Sequence, residues 1–179
     1  MIHAMSKRAV MLMFVLLLGA CASQPQQWAE TSTFVIVRHA EKSTSDPLDP
    51  PLAEAGVTRA RVLSALLSDE SVVAIYATVF KRSLQTAKPT SDAHGIAVTT
   101  YDAKQPAAAL ARQLRNAHAS GTVLVVGHSN TVPDIVAAFC QCTVEPLADT
   151  DYDRLYRVHI DGSGRLVLQQ LRYGTPSTR

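Results

Sequence analysis

Three places in the sequence put arginine or histidine at the end of a short apolar run. Arg38-His39 follows Thr33-Phe34-Val35-Ile36-Val37, Lys81-Arg82 comes soon after Val72 to Ala77, and His128 closes the run from Thr122 to Val126. Singly, each residue has an ordinary reading as a surface charge or a hydrogen-bonding imidazole. Converging on one rim, two arginines and two histidines would repel one another unless an anion sat between them. A guanidinium is a planar fork that meets phosphate oxygens two at a time, so two arginines suit a phosphate dianion. A neutral imidazole is a competent nucleophile near pH 7, because its ordinary pKa is about 6.5. A second imidazole can hydrogen-bond the same phosphoryl group and stabilise its equatorial oxygens in the transition state. The set His39, Arg38, Arg82 and His128 therefore suits phosphoryl transfer through a phosphohistidine, with no metal or cofactor required.

The elements that must position these residues alternate between strand and helix. Short β-branched runs predict strands at 33–37, 72–77, 96–100 and 122–126. Between them lie helical segments. The first spans 53–68, with Val57, Ala60, Leu63 and Leu67 on one stripe. The second spans 83–93, where Pro89 should bend or end the helix. The third spans 106–119, with proline in its first turn and Leu110, Leu114 and Ala117 on one face. A fourth helix at 131–139 precedes two strands, 154–160 and 165–171, joined as a hairpin by Asp161-Gly162-Ser163-Gly164. This order predicts one α/β domain of three layers, α/β/α. Its sheet should be mostly parallel, with antiparallel edge strands from the C-terminal hairpin. Ligands of such sheets gather at the carboxyl ends of the strands, where the arginines and histidines stand.

The chain has 179 residues, of which 47% are hydrophobic and 18% charged, enough for one domain with a real core and too apolar for a disordered chain. Lys7 and Arg8 are two of the 17 basic residues, so without residues 1–20 basic and acidic residues balance at 15 each. That balance excludes the basic surplus of a nucleic-acid binder.

Residues 1–20 read as an export signal: Lys7-Arg8 is positive, Ala9 to Leu18 is apolar, and Gly19-Ala20 is small. The apolar run is about half of the roughly 20 residues that spanning a bilayer needs. Leu18-Gly19-Ala20-Cys21 resembles a bacterial lipobox, in which Cys21 is lipidated and becomes the first residue of the mature chain. That reading predicts a membrane partner through the anchor. Ala22 after the cysteine implies an outer-membrane protein facing the periplasm. Residues 21–32, polar and aperiodic, read as the lipidated cysteine and its tether, and residues 33–175 as the domain. Cys140 and Cys142 read either as two thiols near a helix end or as a labile bridge.

Four segments resemble the motifs of the histidine phosphatase superfamily, the phosphoglycerate mutase-like proteins, in its small branch. Val37-Arg38-His39-Ala40-Glu41-Lys42 resembles the R-H-G/A-E motif, and Asp49-Pro50-Pro51-Leu52-Ala53-Glu54-Ala55-Gly56 resembles the D-x-x-L-T-x-x-G entry to the first helix. Tyr76-Ala77-Thr78-Val79-Phe80-Lys81-Arg82-Ser83-Leu84-Gln85-Thr86-Ala87 resembles Y-S-x-x-x-R-x-x-Q-T-A, and Val126-Gly127-His128 resembles V-G-H. The resemblance implies a phosphatase in which His39 is the phosphorylated nucleophile and Arg38, Arg82 and His128 form the phosphate pocket. It implies a small phosphorylated substrate, a phosphomonoester or a phosphohistidine, and neither metal nor other cofactor. The chain departs from the family at Ala53, where a threonine cap is usual, and at Thr78, where serine is usual. No glutamate follows Arg82 at the place where the larger mutases keep their proton donor, so Asp102 and Glu41 are the candidate acids.

Other readings compete. Gly127-His128-Ser129-Asn130-Thr131 lies where a serine hydrolase would place its nucleophile elbow, with Asp149, Asp151 or Asp153 and then His159 following in order. Thr131 stands where that elbow needs glycine. A third class is a non-catalytic phosphate- or envelope-binding lipoprotein of the same fold. His39-Ala40-Glu41 opens a zinc deaminase motif that Cys140-Gln141-Cys142 does not complete. His94 and His118 read as solvent-facing, and His159 as a strand residue.

Overall fold

The computed structural model describes residues 31–177. The leader at 1–20, the lipidation site at Cys21 and the tether as far as residue 30 lie outside the described residues. The elements run β1 (Ser32–Arg38), α1 (Glu54–Leu66), β2 (Val72–Thr78), α2 (Lys81–His94), β3 (Val98–Tyr101), α3 (Ala107–Ala117), β4 (Gly121–Gly127), α4 (Val132–Cys140), β5 (Arg154–Ile160) and β6 (Leu166–Arg172). They form a six-stranded sheet in the order β3-β2-β4-β1-β5-β6. β3, β2, β4 and β1 are mutually parallel, while β5 runs antiparallel to β1 and β6 antiparallel to β5. This is the mostly parallel α/β sheet with an antiparallel edge that strand–helix alternation predicts. Among the described residues no helix is long and apolar enough to cross a membrane.

The central strands bury both of their faces, which is why β1 and β4 read as continuous apolar runs. On one face Phe34, Ile36, Val123 and Val125 pack with Leu110 and Leu114 of α3 and Ile135, Val136 and Phe139 of α4. Phe34 and Phe139 bring their ring centroids within 4.3 Å. On the other face Val35, Val37, Leu124 and Val126 pack with Leu63, Leu67 and Ala87 from the side of α1 and α2.

Several local expectations change. α2 passes through Pro89 to His94, because Thr86, Ala87 and Thr90 are buried and hold both halves in place. α1 leaves Val57 exposed and buries Gly56 and Arg59 instead. A Cβ on Gly56 would collide with the Glu41 carbonyl, so the glycine of the helix-entry motif is there to let two backbones touch. Ala53 precedes α1 without a side-chain cap, as alanine must. In α3 the apolar face is Leu110, Ala111 and Leu114, and Ala117 is exposed. His118 is half-buried, with Nε2 2.9 Å from the Tyr76 hydroxyl, and His94 is half-buried as well; neither is the solvent-facing group that helix ends suggest. Cys140 and Cys142 are bridged around Gln141, which lies in the left-handed region at φ 54°.

Candidate active site

Strand register assembles the site. Arg38 lies beside Gly127 across the parallel β1–β4 pair, and the His39 N–H donates to the Gly127 carbonyl at 2.9 Å. Ala77 pairs with Val126 on the other side of β4, so Thr78 comes level with Gly127. The carboxyl ends of β1, β2 and β4 are therefore flush, and the residues just beyond them meet. Arg38, His39, Arg82 and His128 line one cavity of about 320 Å³, together with Lys42 and Lys104.

The Q-T-A segment stands behind His39. Thr86 Oγ1 accepts from the Ala40 N–H at 2.9 Å and donates to the Arg82 carbonyl at 2.8 Å. Gln85 Oε1 accepts from the Leu52 N–H at 2.7 Å. One turn of α2 thus fixes both the residue after the histidine and the chain entering α1.

His39 is 4% exposed. Its Nδ1 donates to its neighbour's carbonyl, Ala40 O, at 2.8 Å, because a carbonyl can only accept. Nε2 is then the unprotonated nitrogen, and Arg82 Nε donates to it at 3.1 Å. The lone pair that could attack phosphorus therefore already faces the cation that could hold the phosphoryl oxygens. His128 stands edge-on to His39, with centroids 5.2 Å apart. Its Nε2 is 2.9 Å from Thr78 Oγ1, which donates to Ser83 Oγ at 2.9 Å. Phe80 packs edge-on against His128 at 5.3 Å and lies under the Arg82 guanidinium at 4.5 Å.

Arg38 is held from the far side by a segment with no periodicity. Its Nη1 donates to the carbonyls of Ala148 (3.1 Å), Asp149 (2.9 Å) and Asp151 (3.3 Å), and Tyr152 lies under the guanidinium at 4.1 Å. Arg38 Nε is buried and has no partner among the described residues.

Burial pushes His39 down to about 3, and the charges of Arg38, His128 and Arg82 act in the same direction. Burial, followed by Arg82 and Arg38, pushes His128 down to about 4. Both rings are thus neutral, as a nucleophile must be. The ordinary imidazole value of 6.5 lies above both, so from there downward the unfolded chain binds protons that the folded chain refuses. This stability is present above about pH 6.5 and is lost as the pH falls towards 4 and 3. Ring-proton NMR should find both imidazoles neutral throughout the range about pH 5–7, where an exposed histidine titrates. A midpoint near 6.5 for either ring would contradict the buried geometry.

Neither candidate acid lines the cavity of the four residues. Both Glu41 oxygens accept from Arg59 Nε at 3.0 Å, and Oε1 also accepts from Nη2 at 2.6 Å. Glu41 faces a larger cavity of about 540 Å³ that none of the four cavity residues lines. Asp102 turns its Oδ1 back to the Lys104 N–H at 2.9 Å and lines a neighbouring cavity instead. The carboxylates beside the arginines are Asp149, 3.9 Å from Arg38 Nη2, and Asp49, 3.8 Å from Arg82 Nη1. Nothing local in the sequence marks Asp149 or Tyr152 for this place. The hydrolase triad is not assembled: Ser129 Oγ donates to Asp149 Oδ1 at 3.2 Å, but His159 Nδ1 lies 3.0 Å from Thr33 Oγ1, near the opposite end of β1. Among the described residues no group of three His, Cys, Asp or Glu side chains could hold a metal ion.

Comparison with solved structures places this architecture. A protein histidine phosphatase, SixA, complexed with tungstate superposes at a TM-score of 0.62 with 21% identity, over 78% of this chain and 96% of that one. The fold is the histidine phosphatase fold. A mycobacterial glucosyl-3-phosphoglycerate phosphatase gives a TM-score of 0.63 at 15% identity, over 81% of this chain and 100% of that one. A phosphoglycerate mutase from Bacillus anthracis gives 0.61 at 12% identity, over 80% and 94%. The model of the histidine phosphatase superfamily (branch 1) matches residues 34–105, a stretch that contains Arg38, His39 and Arg82. No curated protein matches the chain.

Proposed function

We propose that this histidine phosphatase-fold protein is a metal-independent phosphatase that hydrolyses a phosphomonoester or a phosphohistidine through a phosphohistidine on His39. The observation that carries this is His39 Nε2, unprotonated and 3.1 Å from Arg82 Nε, in a cavity also lined by Arg38 and His128. The lone pair of Nε2 attacks phosphorus, a P–N bond forms, and the bond from phosphorus to the leaving group breaks with its electron pair on that group. Water then attacks the phosphohistidine, the P–N bond breaks, and inorganic phosphate leaves with His39 neutral again. Arg38, Arg82 and His128 hold the transferred oxygens through both steps. The superposition on a protein histidine phosphatase and on a glucosyl-3-phosphoglycerate phosphatase supports this reading.

Assaying p-nitrophenyl phosphate and p-nitrophenyl acetate side by side with EDTA present tests it. The phosphate ester should be turned over and the acetate ester should not; the reverse would move Ser129 to the centre. Arg82→Ala should lower kcat on the phosphate ester about 10²–10³-fold, as loss of a transition-state donor does, and Arg82→Lys should recover only part of it. A change of less than about threefold on Arg82→Ala would remove Arg82 from the phosphate site.

A further inference from the structure

Beside the phosphate cavity lies a second one, of about 380 Å³, lined by Val79, Phe80, Thr100, Tyr101 and the segment from Asp102 to Lys104. The two share Phe80, Ala103 and Lys104 as a common wall. Phe80 is fixed at that junction by its contacts with His128 and Arg82. The chemistry changes across the wall, from paired arginines and imidazoles to the apolar side chains of Val79, Phe80 and Tyr101.

Val79 is 65% exposed and Leu48 is 90% exposed, the two most exposed large apolar side chains among the described residues. Val79 lines this cavity. The loop that carries Leu48 is bonded to the start of α2, with Asp49 Oδ1 accepting from the Lys81 N–H at 3.0 Å and Asp46 Oδ2 from Lys81 Nζ at 3.1 Å. Apolar side chains left in water around a defined cleft mark a surface that something covers. The cleft has the volume of a small-molecule site, for which about 300 Å³ is the lower bound.

We propose that this second cavity is the subsite for the organic part of the substrate, an aryl or alkyl group attached to the phosphate. The inference rests on the phosphatase reading and extends it to substrate class. A phosphoryl group held by Arg38, Arg82 and His128 must point its leaving group away from His39 Nε2, because attack is in line. The shared wall of Phe80, Ala103 and Lys104 then becomes the floor over which that group passes, and Val79 and Tyr101 take its apolar face. Small polar phosphates use the first cavity alone and forgo this contact.

Benzylphosphonate and methylphosphonate test this without any need for turnover, since each keeps the anion and only the first has an apolar body. Isothermal titration of the full chain near neutral pH should give benzylphosphonate an affinity about tenfold tighter, the scale on which one apolar pocket contact discriminates. Val79→Asp should bring the ratio to within about twofold of unity. Leu66→Asp places the same charge on another exposed apolar side chain, 51% exposed on α1, and should leave the ratio unchanged. Equal affinity of the two phosphonates, or a ratio that Val79→Asp does not move, overturns the subsite while the anion site stands. Binding of neither phosphonate overturns the anion site and with it the phosphatase reading.

Discussion

His39→Ala should lower kcat/KM on p-nitrophenyl phosphate by at least about 10⁴-fold while the chain stays folded. Removing the nucleophile of a covalent hydrolase costs up to about 10⁶ in kcat, because the remaining residues cannot supply a second route through the intermediate. Arg82 Nε, now 3.1 Å from the His39 lone pair, would face a methyl group. The arginines and His128 would still bind phosphate, so affinity for inorganic phosphate should change far less than turnover. The fold survives for a separate reason. Apart from the bond it accepts from Arg82, the ring makes one hydrogen bond, from Nδ1 to the Ala40 carbonyl, and losing it costs about 1 kcal/mol. Against a domain stability of about 5–15 kcal/mol that loss is tolerable. Circular dichroism and a thermal melt alongside the assay would separate loss of chemistry from loss of fold. A folded variant with more than about a tenth of wild-type activity would refute the assignment of His39 as nucleophile.

The second large effect concerns stability. Arg59→Ala should lower the free energy of unfolding by about 3 kcal/mol, the lower end of the range for breaking a buried ion pair. Arg59 is 4% exposed and Glu41 23%, so the pair is only partly screened by water. Beyond Glu41, the guanidinium donates to the carbonyls of Tyr173 at 2.6 Å and Thr175 at 2.7 Å. It therefore joins the segment that follows His39 to the C-terminal tail. Ser177 extends the connection, its Oγ accepting from the Tyr152 and Asp153 N–H groups at 2.9 and 3.1 Å. Tyr152 is the ring under Arg38. Removing Arg59 leaves a carboxylate and two carbonyls short of donors. Urea denaturation measures the loss, and Glu41→Ala with Arg59→Ala should recover part of it, because the stranded carboxylate is gone. A loss below about 1 kcal/mol would show that water replaces the guanidinium at little cost.

Element types and order were legible because their signals are local. Thr33 to Val37 and Thr122 to Val126 are β-branched runs that read as buried strands, and β1 and β4 occupy those places. Positions at strand ends are local too, so Arg38, His39 and His128 could be assigned to the sheet's carboxyl edge from sequence. The expectations that changed are those in which a distant contact outweighs a local rule. Pro89 lies inside α2 because neighbouring side chains are buried on both sides of it. Val57 yields its place in the interior to Arg59, since the partner at that point is a carboxylate.

The strand–helix alternation, the two apolar faces of the central strands and the identity of the residues at the strand ends follow from the order of the residues alone. Periodicity and strand termini depend on neighbours along the chain, and those are written in order. The place of β4 between β1 and β2 is a property of the folded sheet, and it sets His128 beside His39 and Thr78 beside His128. The fold also decides which carboxylates stand at the site. Glu41 is two residues from His39, yet it belongs to Arg59, while Asp149, far along the chain, lies 3.9 Å from Arg38. A carboxylate's partner is set by distance in space and by which cation is desolvated nearby, and neither quantity exists until the sheet has closed.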